Sequence, residues 1–159
     1  MRWNNQDTNQ KEELKFAINE MRQCAANGIV PKNDTLLCIV KIAQLYGTEG
    51  RRTKTALTPS QRRSAVNLIL EACVEADKSG LMRKPTFSAE VVRSLRAMKA
   101  NKECIQLVRA LVSNSERNRH KYAMEQAIYA ASEERDQDSL HLFTQVYERS
   151  GFDSTRLNL

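Results

Sequence analysis

The segment KECIQLVRALVSN, residues 102–114, carries Ile105, Val108, Leu111 and Val112 at steps of three and four. That spacing gathers side chains on one face of a helix with 3.6 residues per turn. The segment QDSLHLFTQVYER, residues 137–149, repeats it 35 residues later. Leu140 stands opposite Ile105, Leu142 opposite Leu107, Phe143 opposite Val108, Val146 opposite Leu111 and Tyr147 opposite Val112. The ends match too, because Gly80, Ser115 and Ser150 fall at the same step, with Gly151 one position further. An earlier unit follows less closely: Leu70 aligns with Ile105 and Cys73 with Val108, but Asp77 falls opposite Val112. A fixed period of this length marks stacked helix pairs, each burying its apolar face on the next. Ile105, Leu107, Val108, Leu111, Leu140, Leu142, Phe143 and Val146 are therefore the expected core.

Outward from this pair, the same period predicts helices over 10–27, 34–46, 59–78, 87–100, 119–134 and 138–149. Gly28 closes the first, and Asp34 is placed as N-cap of the second. Thr58, Pro59 and Gln61 open the third with capping-box spacing and proline at the first helical position. No segment alternates with the two-residue period of a half-buried strand. The expected fold is all-α: a short right-handed stack of about seven helices, in one domain spanning 1–159. Its parts are an N-terminal helix (10–28), repeat 1 (31–80, with an inserted loop at 48–58), repeat 2 (85–115), repeat 3 (118–152) and a tail (153–159).

Composition agrees with a folded chain, since 41% of the 159 residues are hydrophobic and 28% charged. No apolar run approaches the roughly 18–20 residues that span a bilayer, so no membrane span is expected. MRWNNQDTNQ lacks the apolar core of a secretory signal, while import into an organelle stays open. Cys24, Cys38, Cys73 and Cys104 form no C-x-x-C pair and read as thiols buried in helices. The net charge of +6 permits nucleic acid or an acidic protein face as partner and selects neither.

The order of helix, glycine, apolar residue, proline and new helix appears in NGIVPKND (27–34) and, with two extra residues before the proline, in SGLMRKPT (79–86); RSGFDST (149–155) keeps the glycine and the apolar residue but not the proline. With the period and two helices per unit, this resembles the pentatricopeptide repeat family over residues 31–152. Tetratricopeptide arrays, at 34 residues, are the nearest competitor; their Trp-Leu-Gly-Tyr pattern is missing, and Trp3 lies outside the repeats. The resemblance implies a mitochondrial matrix protein with one of two roles. The first is a non-catalytic interaction subunit docked on a larger complex, in its most specific form the F1 catalytic sector of a euglenozoan ATP synthase. The second is an RNA-binding module of weak, sequence-independent affinity. Family base readers would fall near Cys38, Val92 and Tyr122, with partners near Asn33 and Phe87. Readers in this family are usually Asn, Ser, Thr or Asp, of which only Asn33 is one, and the valine and cysteine offer no useful donor and acceptor pair.

No phosphate loop, dinucleotide fingerprint, zinc-helix motif or nucleophile elbow is present. The chain is read as no enzyme, without catalytic, cofactor-binding or metal residues. EERDQD (133–138) reads as a solvated turn with Asp138 as N-cap, and His120 as a solvated histidine. Two surfaces are candidate sites. Trp3, Phe152, Leu157 and Leu159 lie beyond the repeat core and are candidate partner-binding residues. Arg51, Arg52, Lys54, Arg83, Lys84, Arg117, Arg119 and Lys121 recur at helix junctions, which a stack would align into a basic stripe.

Overall fold

The computed structural model describes residues 2–48 and 59–159, with side chains for all of these except 2–8 and 48. The described residues form seven α-helices and no strand: α1 (Arg2–Ala26), α2 (Asn33–Thr48), α3 (Pro59–Lys78), α4 (Pro85–Ala97), α5 (Asn101–Val112), α6 (Lys121–Glu133) and α7 (Gln137–Arg149). The described residues are all-helical, and their seven helices agree with the expected count of about seven. α1 begins eight residues earlier than its apolar period predicts, because nothing between Arg2 and Gln10 breaks a helix. Of the expected inserted loop at 48–58, Thr48 belongs to the end of α2, and residues 49–58, with Arg51, Arg52 and Lys54, lie outside the described residues. The helices group into two compact units, residues 1–82 and 83–159, which divide between the first and second expected repeats.

In the first unit, α1 lies on α2 and α3 through the buried side chains of Ala17 and Met21. α2 contributes Leu36, Ile39 and Val40 to this core, and α3 contributes Val66, Ile69 and Ala72. α2 runs antiparallel to α1, since Thr35 Oγ1 donates to Glu20 (2.8 Å) while Cys38 reaches Glu13 further back (3.6 Å). α3 runs alongside α1, tied to it by a bidentate pair from Arg22 to Glu71 at 3.0 Å in both bonds. At their other ends Lys11 and Leu14 of α1 share an open cleft of about 430 Å³ with Ser64 and Leu68 of α3. Gly28 ends α1 at φ 69°, and Ile29 N reaches back to Cys24 O at 2.8 Å. That left-handed turn favours a residue without a Cβ.

In the second unit the hairpin α4–α5 recurs as α6–α7. Both turns pass through a non-glycine residue with positive φ, Lys99 (56°) and Arg135 (55°). Both close with the same long-range helix-ending bond, Ala100 N to Leu95 O (2.8 Å) and Asp136 N to Ala131 O (2.9 Å). The recurrence refines the expected period. Buried residues of α4 and α6 match at a step of 36: Phe87 with Ala123, Ser88 with Met124, Val91 with Ala127, Val92 with Ile128, Ser94 with Ala130 and Leu95 with Ala131. Those of α5 and α7 match at 35, namely Cys104 with Ser139, Val108 with Phe143 and Val112 with Tyr147.

Of the expected core, Ile105, Val108, Leu111 and Phe143 are buried, whereas Leu107, Leu140, Leu142 and Val146 are only half-buried. α7 packs chiefly on α6 and on the 3-10 turn Ser154–Arg156, so one side of its apolar stripe stays open. Two caps also differ from expectation. Asp136, not Asp138, caps α7: its carboxylate accepts from Ser139 N (3.1 Å) and Ser139 Oγ (2.6 Å). α6 ends at Glu133 and the chain turns at Arg135, which leaves Asp136 as the residue just before α7 and Asp138 inside its first turn. Asp34 likewise lies inside the first turn of α2. EERDQD is more than a solvated turn, because Glu133 holds Arg96 through two bonds of 3.0 Å and accepts from Asn101.

Candidate docking edge

Helices α4 and α6 begin at the same end of the second unit. Ser88, in the first turn of α4, lies 3.1 Å from His120 Nδ1, and His120 directly precedes α6. Both side chains are buried, His120 to 2% exposure. The expectation of a solvated His120 is therefore wrong: the residue before α6 packs against the opening turn of α4, and its ring is enclosed there. α7 finishes at this end as well. Tyr147 donates to Glu125 (2.8 Å), and its ring stacks on Phe152 at 5.1 Å between centroids. Lys121 Nζ sits 5.4 Å from the centre of the Phe152 ring.

These contacts bring together residues from both sequence-predicted surfaces. Arg83, Lys84, Arg117, Arg119 and Lys121 are all exposed at this one end. Arg119 approaches Glu116 at 3.9 Å, while Arg83, Lys84 and Arg117 form no ion pair among the described residues. Phe152 is not free for docking, since Tyr147 and Lys121 engage it, and it caps the last helix. Leu157 is half-buried and Leu159 is 67% exposed. The side chain of Trp3, within α1, lies outside the described residues.

Burial lowers the His120 pKa from the ordinary 6.5, the nearby Glu116 opposing this and Arg119 adding to it. The unfolded chain then binds a proton that the folded ring refuses. The His120 contribution is present in full above 6.5 and is lost as pH falls below it. Glu133, Asp136 and Asp153 have lowered values and act at more acidic pH, below the ordinary carboxylate range. Urea midpoints of the wild type are expected to fall between about pH 6.5 and pH 5, and those of His120→Gln to stay flat there. An equal decline in both proteins would remove His120 as the cause.

The positions that the family resemblance assigns to base reading do not form an exposed row. Val92 and Phe87 are buried in the core. Tyr122 lies under the Arg93 guanidinium at 5.2 Å. Cys38, its thiol pushed up to about 11 chiefly by burial, points to Glu13. Asn33 alone is exposed. Cys73 and Cys104, pushed up to about 12 by burial, are protonated, packed thiols. No group of three or more His, Cys, Asp or Glu among the described residues could hold a metal ion. No helix there is long and apolar enough to cross a membrane.

The structure adds a surface that the sequence reading missed. Ile29 is 60% exposed, Val30 46% and Val74 60%. Val74 follows Glu71 by one helical turn on α3, and the exposed Ala25 and Ala26 follow Arg22 by one turn on α1. Because Arg22 holds Glu71, these residues and Ile29–Val30 share the end of the first unit where α1 and α3 finish. Phe16, 72% exposed, lies elsewhere on α1. A helical projection reveals it, since Phe16 precedes the anchoring Met21 by five residues, about 140° around the axis. No family model, curated protein or solved structure matches the chain.

Proposed function

We propose that this chain is a non-catalytic interaction subunit that docks on a larger complex. The observation that carries the proposal is the apolar end of the first unit, where Ile29, Val30 and Val74 stand in solvent beside Ala25 and Ala26. Neighbouring large apolar side chains left in water mark a protein contact more often than a nucleic-acid contact. The finer reading rests on the family resemblance: the complex is mitochondrial, and the chain resembles the small pentatricopeptide-like accessory subunit on the F1 sector of the euglenozoan ATP synthase. The second reading, binding of RNA through its phosphates, draws on the basic junctions alone.

Size exclusion of a native extract tests the proposal. The chain is expected to elute with a large assembly, to stay there after RNase, and to leave it when Ile29 and Val74 are both replaced by Asp. Elution at the 18.2 kDa of the free chain would overturn the docking role. Release by RNase would replace it with RNA binding.

A further inference from the structure

We infer that the end of the second unit carrying Arg83, Lys84, Arg117, Arg119 and Lys121 receives the carboxylates of an acidic protein surface. The inference rests on the docking role proposed above and names the chemistry of the partner. It begins with how charge is divided. Residues 83–84, 116–121 and 148–156, which form this end, hold seven basic and three acidic side chains. The rest of residues 83–159 holds six basic and seven acidic. The excess is therefore local, and such a field steers an oppositely charged surface to one place.

Two of the three acidic groups are already engaged: Asp153 accepts from Thr155, and Glu148 from Ser154. The third, Glu116, meets Arg119 only at 3.9 Å. The backbone adds to the same potential. Lys84 precedes α4 and His120 precedes α6, and neither side chain caps its helix, in contrast to Asp136 at α7. Both helix starts therefore present N–H groups without a side-chain acceptor, at the positive end of the helix dipole. His120 Nε2, buried in the same place, also has no hydrogen-bond partner.

Carboxylates on a protein fit this edge better than RNA does. Single-stranded RNA is held by exposed aromatic rings on which bases stack, beside a basic track. Here Phe87 is buried, Tyr122 is covered by Arg93, and Phe152 is occupied by Tyr147 and Lys121. The edge has the charge for a backbone and no free platform for bases.

The test uses the full chain in its native assembly. A zero-length carbodiimide joins lysine amines to carboxylates, so cross-linked peptides are expected to pair Lys84 or Lys121 with an Asp or Glu of another protein. The triple variant Lys84→Glu/Arg117→Glu/Lys121→Glu is expected to lose about tenfold or more of its bound fraction. Lys15→Glu/Lys41→Glu/Lys102→Glu, with the same change in net charge at other exposed sites, is expected to remain bound. Lys84→Gln/Arg117→Gln/Lys121→Gln should show an intermediate loss and guards against misfolding of the reversed chain. Retention of the Lys84 variants, with the Ile29 and Val74 variant still released, would overturn this inference and leave the docking role standing. Release by RNase, or absence of any assembly, would overturn both.

Discussion

Phe143→Ala is expected to destabilise the chain by about 3–5 kcal/mol, the range for emptying a fully buried aromatic site. Phe143 is the largest side chain with no exposure among the described residues, and on α7 the half-buried Leu140, Leu142 and Val146 add less. Arg109 of α5 also lies over its ring at 5.9 Å and donates to Ser139 at 2.7 Å, so the phenyl group backs a contact between α5 and α7. Urea titration followed by circular dichroism gives the loss directly. Phe143→Leu, which refills most of the volume, should recover more than half of it. A Phe143→Ala loss below about 1 kcal/mol would mean that the ring is not packed as described.

Met21→Ala should cost the first unit about 2–5 kcal/mol, because α1 is held to α2 and α3 by few buried groups. Ala17 and Met21 are its only fully buried side chains among those described, and Met21 has no exposure at all. The Arg22–Glu71 pair cannot replace it, since both partners are substantially exposed and such pairs contribute little. Amide exchange in α1 should accelerate far more than exchange in α5. Met21→Leu, close in volume, is expected to lose less than about 1.5 kcal/mol. Equal exchange rates in α1 of the wild type and Met21→Ala would show that other contacts hold the helix.

Much of the architecture was readable because helical periodicity is a local signal. The spacing of Ile105, Val108, Leu111 and Val112 identified α5, and the matched stretch after Gln137 identified α7 without any structural information. The period was read chiefly from that pair, with Gly80, Ser115 and Ser150 at the same step. The 36-residue step between α4 and α6 was hidden because α4 fills its buried positions with Phe87, Val91 and Leu95 whereas α6 uses Ala123, Ala127 and Ala131. Residue type differs there while burial does not. His120 was misread for a related reason: its neighbours Arg119 and Lys121 are exposed, and chain proximity says nothing about Ser88, which closes over it from 32 positions away. The candidate edge was legible as a recurrence of cations at junctions. Its gathering at one end required the Ser88–His120 and Lys121–Phe152 contacts, which are tertiary.

The turns at Lys99 and Arg135 carry a consequence for redesign. A β-carbon in the left-handed region is disfavoured by roughly 1–2 kcal/mol relative to the right-handed one, and both inner turns accept that cost while Gly28, Gly80 and Gly151 avoid it elsewhere. Glycine at either position would remove the strain and return part of the gain as extra freedom in the unfolded chain, about 0.4–1 kcal/mol. The two hairpins of the second unit thus hold a small margin of untapped thermal tolerance. It lies at the opposite end from the cationic edge, where an engineer could draw on it without touching the surface offered to a partner.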